Sequence, residues 1–150
     1  MRGHAPTEVL ATSRADQQIA KLTRKRARAF DAFVNGLAAH GCEALAYRLS
    51  GERPIDHICV KHLLGSLRVV VAFESPRRAW ILLVGQHDDQ DPVLNVYAEL
   101  YRLLGTEPQR DSGRDKPPCC DKSDGEPPVL GDALADILDR AMKLRKTRQR

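Results

Sequence analysis

The chain contains no apolar run near the roughly 18 residues needed to cross a bilayer, and none of its four cysteines stands in C-x-x-C spacing. The first absence argues against a membrane-spanning helix. The second argues against a zinc knuckle and, because Cys119 and Cys120 are adjacent, against a disulfide framework as well. The opening residues Met1-Arg-Gly-His-Ala-Pro6 lack the apolar core of a signal peptide. The expectation is a cytoplasmic protein with no membrane partner. Aromatic residues are scarce at 5 %, so any core must be aliphatic. His57, Cys59 and His62 are close in sequence, but on a strand His62 faces away from the other two, so no shared metal is expected.

What the chain does have is a mild positive excess, formally +4, gathered notably at Lys21, Arg24, Lys25, Arg26 and Arg28. Such a cluster suits an RNA or ribosome partner and equally a solvated helix face. It also has three β-branched-rich runs, Ile58–Leu63, Leu67–Phe73 and Ala79–Val84, separated by Gly65-Ser66 and by Glu74-Ser-Pro-Arg-Arg78. Apolar runs split by turn material read as consecutive antiparallel strands. Leu67–Phe73 is apolar on both parities except at Arg68, the pattern of a central strand covered on both faces. An arginine there is either satisfied by an acid such as Glu74 or Asp56, or belongs to a site.

Around this meander the chain reads in order. Residues 1–7 are expected to be flexible, and Glu8–Thr12 is a short first strand. Ser13 with Asp16 resembles a capping box and starts a helix near Arg14. Phe30, Phe33, Val34, Leu37 and Ala38 give a strong amphipathic helix ending at Gly41, so two helices form an α-hairpin on the sheet. A brief extended piece over 44–49 precedes the meander. Beyond it, Asp88, Asp89 and Asp91 read as an acidic turn whose Asp91 caps a helix with Pro92 at its first position. That helix carries Val93, Val96, Tyr97, Leu100, Tyr101 and Leu104 and stops at Gly105. Residues 106–128 are polar and Pro-rich without apolar period, the composition of a disordered linker. A basic amphipathic helix over 129–150 closes the chain through Leu134, Ile137, Leu138, Ala141 and Leu144, suited to docking, to a partner or to RNA. The fold class is α+β, with helices on one face of a small antiparallel sheet.

At this point the residues resemble a family. Asp56-His-Ile-Cys-Val-Lys61-His-Leu-Leu-Gly-Ser-Leu-Arg68-Val-Val-Val, then Ile81-Leu-Leu-Val-Gly85-Gln-His87, then Val96-Tyr97 opening a helix, look like the RelE branch of the RelE/ParE toxin superfamily, over roughly residues 9–105. No single motif is unique; the ordered set carries the likeness. The resemblance implies a type II toxin, a ribosome-dependent mRNA endonuclease acting in the A site and inhibited by a small cognate antitoxin. It implies attack of a ribose 2′-OH on the adjacent phosphate, with no metal and no cofactor. By the same likeness Lys61 sits at the phosphate, Arg68 stabilises transition-state charge, Tyr97 is a general base or a stacking group, and His87 is an acid or base where one branch has an arginine. Cys59 stands where the family has a second lysine, which leaves one cation fewer. Two other readings of the same fold are a ParE-like gyrase inhibitor and a non-enzymatic interaction module, the latter suggested by the long tail.

Overall fold

A computed structural model describes residues 6–87, 95–105 and 117–148, with side chains to residue 142. The architecture is α+β: a five-stranded sheet of order β1-β5-β4-β3-β2, with β1 Glu8–Ala11, β2 Tyr47–Arg48, β3 Ile58–His62, β4 Leu67–Ser75 and β5 Arg78–Gln86. The meander β3-β4-β5 is antiparallel and β2 joins it antiparallel, but β1 lies parallel to β5, so the sheet is mixed. A parallel pair needs a long crossover. The helices α1 Ser13–Ile19 and α2 Arg24–His40, together with the meander, supply it.

β4 is the middle strand, and its alternation sorts the core into two layers. Val69, Val71 and Phe73 pack with Phe30, Phe33 and Leu37 of α2 and Ala15 of α1. Val70 and Ala72 pack on the other side with Leu100 and Leu103 of α3 Val96–Leu104 and with Leu134, Ile137 and Ala141 of α4 Asp132–Arg148. Helices therefore cover both faces, not one. Of the roles expected for the tail helix, docking on the domain is the one observed. Its apolar stripe is the lid of the second core layer, with Leu134 and Ala141 fully buried. Arg140 adds a hydrogen bond from Nη1 to the Leu103 carbonyl at 2.7 Å, a cation on the last turn of α3.

α1 and α3 both begin at side-chain caps, at residues other than those expected. α1 is capped by Thr12, not Ser13: the Thr12 hydroxyl accepts from the Ala15 amide at 3.0 Å and donates to the Leu82 carbonyl at 2.9 Å. One buried hydroxyl thus starts the helix and ties it to β5. α3 begins at Val96 with Asn95 as its cap, the Asn95 side chain accepting from the Tyr97 amide at 2.9 Å. The cap proposed at Asp91-Pro92 lies outside the described residues. α2 ends at Gly41 with φ 63°, and α3 at Gly105 with φ 72°, both left-handed positions that favour glycine. At the N-terminus, Thr7 is buried and its amide donates to Ala38.

The cysteines overturn the expectation built on spacing. Cys42 bonds Cys120 and Cys59 bonds Cys119, with Cα separations of 5.3 and 5.7 Å. The passing chain hands one sulfur to the turn after α2 and the other to β3. The segment 117–128, expected to be a free linker, is pinned on the sheet and continues into a bridge between Phe73 and Val129. Cys59 and Cys119 are buried. Crosslinks closing 60 and 78 residues stabilise mainly by restricting the unfolded chain. Reduction with excess dithiol should expose four thiols and lower stability by about 4 kcal/mol, read as a fall in thermal midpoint alongside thiol titration. An unchanged midpoint after full reduction would contradict the clip.

Candidate functional site

The question left by the sequence was what Arg68 pairs with. It pairs with neither carboxylate. Glu74 accepts from Trp80 Nε1 at 2.8 Å and from Arg78 Nη1 at 3.4 Å, and Asp56 holds His57 Nδ1 at 2.7 Å. Among the described residues Arg68 forms no ion pair. Its Nη1 donates to the carbonyls of Gly65 at 2.9 Å and Leu67 at 3.2 Å, which folds the guanidinium back over the β3–β4 turn. Its Nε is buried and has no acceptor among those residues. A buried donor left in that state costs on the order of 1–3 kcal/mol and calls for an explanation.

The register shows what surrounds it. Arg68 lies opposite His62 on β3 and opposite Gly85 on β5, on the face that carries Val70 and Ala72 and is covered by α3. Tyr47 on β2 pairs with Val60, so it shares that face. The Tyr47 hydroxyl and His62 Nε2 are 3.1 Å apart, and their rings meet edge-on with centroids at 5.5 Å. α3 comes down over Gly85, where a Cβ would already touch the Val96 side chain at 3.4 Å. This close approach brings Tyr97 in from above. The Tyr97 ring meets His87 edge-on at 4.8 Å, and its hydroxyl is within side-chain hydrogen-bonding reach of both Tyr47 and Arg68. His87 is fixed by its backbone amide, which donates to Ser66 at 2.9 Å and prolongs the β4–β5 ladder past the strand end.

Three of the four residues singled out in sequence, Arg68, His87 and Tyr97, thus come together. The structure does not bring Lys61 to them. It lies opposite Val69, on the parity of Cys59 and Val71, which face the α2 layer. A lysine seven positions before an arginine is on the other face once the turn between them is counted through the register. Cys59 is spent in a disulfide and available neither as a metal ligand nor as a reactive thiol. Among the described residues no group of three His, Cys, Asp or Glu is placed to hold a metal ion. Sequence reasoning missed Tyr47 and His62. His62 was legible, because pairing the strands across the Gly65 turn sets it beside Arg68. Tyr47 was not, since it needs the short edge strand to be placed first.

The electrostatics separate the two roles offered for Tyr97. Burial raises its phenol above the ordinary tyrosine range. Its hydrogen bond and charge coupling with Tyr47 raise it further, and Arg68 only partly opposes. A phenol shifted upward stays protonated at neutral pH and is a poor general base. It is suited to donating a hydrogen bond and to offering a ring face.

Neither protein-family models nor curated proteins give a match to this chain. No helix among the described residues is long and apolar enough to cross a membrane.

The raised phenol has a stability consequence. Below the unfolded-state value of about 10 both states keep the proton and the stabilisation is complete. As pH rises past that value the unfolded state loses its proton first, so stability falls. Between about pH 10 and 12, wild-type protein should therefore lose stability more steeply than Tyr97→Phe in urea unfolding followed against pH. Parallel curves would contradict the burial of this hydroxyl beside Tyr47.

Proposed function

We propose that the protein is a RelE-like toxin, a ribosome-dependent mRNA endonuclease cleaving by 2′-OH attack on the adjacent phosphate and controlled by a small cognate antitoxin. The observation that carries this reading is the state of Arg68. It is a guanidinium at the mouth of the central strand, without a carboxylate partner among the described residues, with its Nε unsatisfied and with two tyrosines and two imidazoles around it. Such a donor fits a phosphate oxygen, and arginine holds anions by directed hydrogen bonds as well as by charge. As the phosphorane forms, negative charge grows on its oxygens, and a preorganised cation stabilises it without reorganisation. The internal nucleophile is one that only RNA offers.

The remaining side chains divide the work. The protonated Tyr97 and the ring of His87 offer an edge-on aromatic corner on which an unstacked base can rest, a contact of about 1–3 kcal/mol. His87, in ring contact with Tyr97, is the imidazole that serves as the proton-transferring group. Lys61 reaches the substrate only as a strand passes round the β3–β4 turn to the opposite face. It then serves the phosphate backbone and not the scissile phosphate. The overall fold supports the same reading: a meander flanked by an N-terminal α-hairpin, with the last strand of the meander parallel to β1. The site of action, ribosomes carrying mRNA, places the protein in the cytoplasm.

Purified protein added to translating ribosomes should give cuts within A-site codons by primer extension. Arg68→Ala should reduce the cutting rate by about 10²–10³-fold, the usual cost of losing one donor to transition-state charge. Tyr97→Ala should weaken it by less. Absence of cuts with wild-type protein on initiated ribosomes would overturn the proposal.

A further inference from the structure

The resemblance supplied one imidazole, His87. The structure supplies a second that it did not assign. His62 is the direct cross-strand partner of Arg68 on one side, and Gly85 is its partner on the other, with His87 two residues beyond Gly85. Adjacent strands lie about 4.8 Å apart and two residues advance a strand by about 6.8 Å, so the two histidines stand on opposite sides of Arg68 with backbones about 12 Å from each other. Both are held in place: His62 by the Tyr47 hydroxyl at 3.1 Å, His87 by the Tyr97 ring and by the backbone bond to Ser66. Tyr47 and Tyr97 are themselves coupled, so the two imidazoles are linked across the site through a pair of phenols.

We propose that His62 and His87 form an acid–base pair bracketing a single RNA phosphodiester held by Arg68. This rests on the endonuclease reading and names the groups that move its protons. In-line transesterification has a nucleophile and a leaving group on opposite faces of phosphorus, so the base and the acid must also stand on opposite sides. One imidazole, unprotonated, takes the proton of the 2′-OH as its oxygen bonds to phosphorus. The other, protonated, gives its proton to the 5′-oxygen as the P–O5′ bond breaks. The products are a 2′,3′-cyclic phosphate and a 5′-OH, and the two imidazoles end with their protonation exchanged, to be reset by water. Tyr97 is not needed as the base, in keeping with its protonated phenol.

The charged and titratable groups around the pair come from every neighbouring element. Among the described residues they are Tyr47 on β2, Arg68 on β4 and Tyr97 on α3. Lys61 adjoins His62 but lies on the other face. A phosphodiester held by Arg68 would bring its negative charge between the two rings.

The test is a pH titration of the histidine ring nitrogens by ¹⁵N NMR on the intact protein. It is run with and without a short single-stranded oligonucleotide of 2′-deoxy sugars, which lacks the nucleophile and cannot be cut. His62→Gln and His87→Gln assign the signals. Both midpoints should rise together on binding, by about one pH unit for an anion held within 4–6 Å, while His40 and His57 stay where they were. In Arg68→Ala the paired rise should vanish. A midpoint that moves for His87 alone, or for neither, overturns the pair. If both move but ribosomal mRNA is never cut, the phosphodiester site stands and the ribosomal reading falls.

Discussion

The fold is built around a strand that has water on neither face. β4 lies between β3 and β5, and it is covered by α2 on one side and by α3 with α4 on the other. A strand so enclosed must be apolar on both parities, and Leu67–Phe73 obeys this everywhere but at Arg68. That residue is tolerated because it stands at the strand's first turn. There the carbonyls of Gly65 and Leu67 take two of its hydrogens and the sheet gives way to a mouth lined by Tyr47, His62, His87 and Tyr97. The strand's burial fixes the guanidinium's direction, and the rings around it follow from the register of its two neighbours. Position on the central strand, more than any local motif, assembles the site.

Much of this was legible from residue patterns. The alternation and turn residues of the meander set β3, β4 and β5 in order, and the spacing of Phe30, Phe33 and Leu37 gave α2 and its buried face. Three of the four expected site residues converge because they lie near strand or helix ends that the turns bring to one edge. Lys61 lies on the face opposite to Arg68 for a reason intrinsic to strands. Sequence distance does not determine face until the turn between two strands is counted, and a one-residue difference reverses it. His62 was overlooked by the same arithmetic. The cysteine pairing was illegible, since it depends on where the chain returns after 106–116, and no local spacing encodes that.

The tail shows how several weak signals combine into firm structure. A polar, Pro-rich segment lacks the apolar content to fold by itself. Two sulfur bridges and one β-bridge nevertheless hold it along the sheet. α4 then completes the second core layer by burying Leu134, Ile137 and Ala141. Disulfides persist in oxidising surroundings and are rare where thiol reductants dominate. In a reducing compartment the tail would be retained by the apolar docking of α4 and by Arg140 on α3. The covalent clip and the packing are therefore separate supports for the same segment. Removing residues 131–150 would uncover core, not merely free a surface.

The central claim is that Arg68 is held ready for a phosphate. The most direct test is the affinity of wild-type protein and of Arg68→Ala for a short single-stranded RNA, measured across a range of salt. Loss of a phosphate contact should weaken binding and lower the slope of log affinity against log salt by about 0.7, the value for one contact on a single strand. Equal affinity and equal slope in the two proteins would contradict the account.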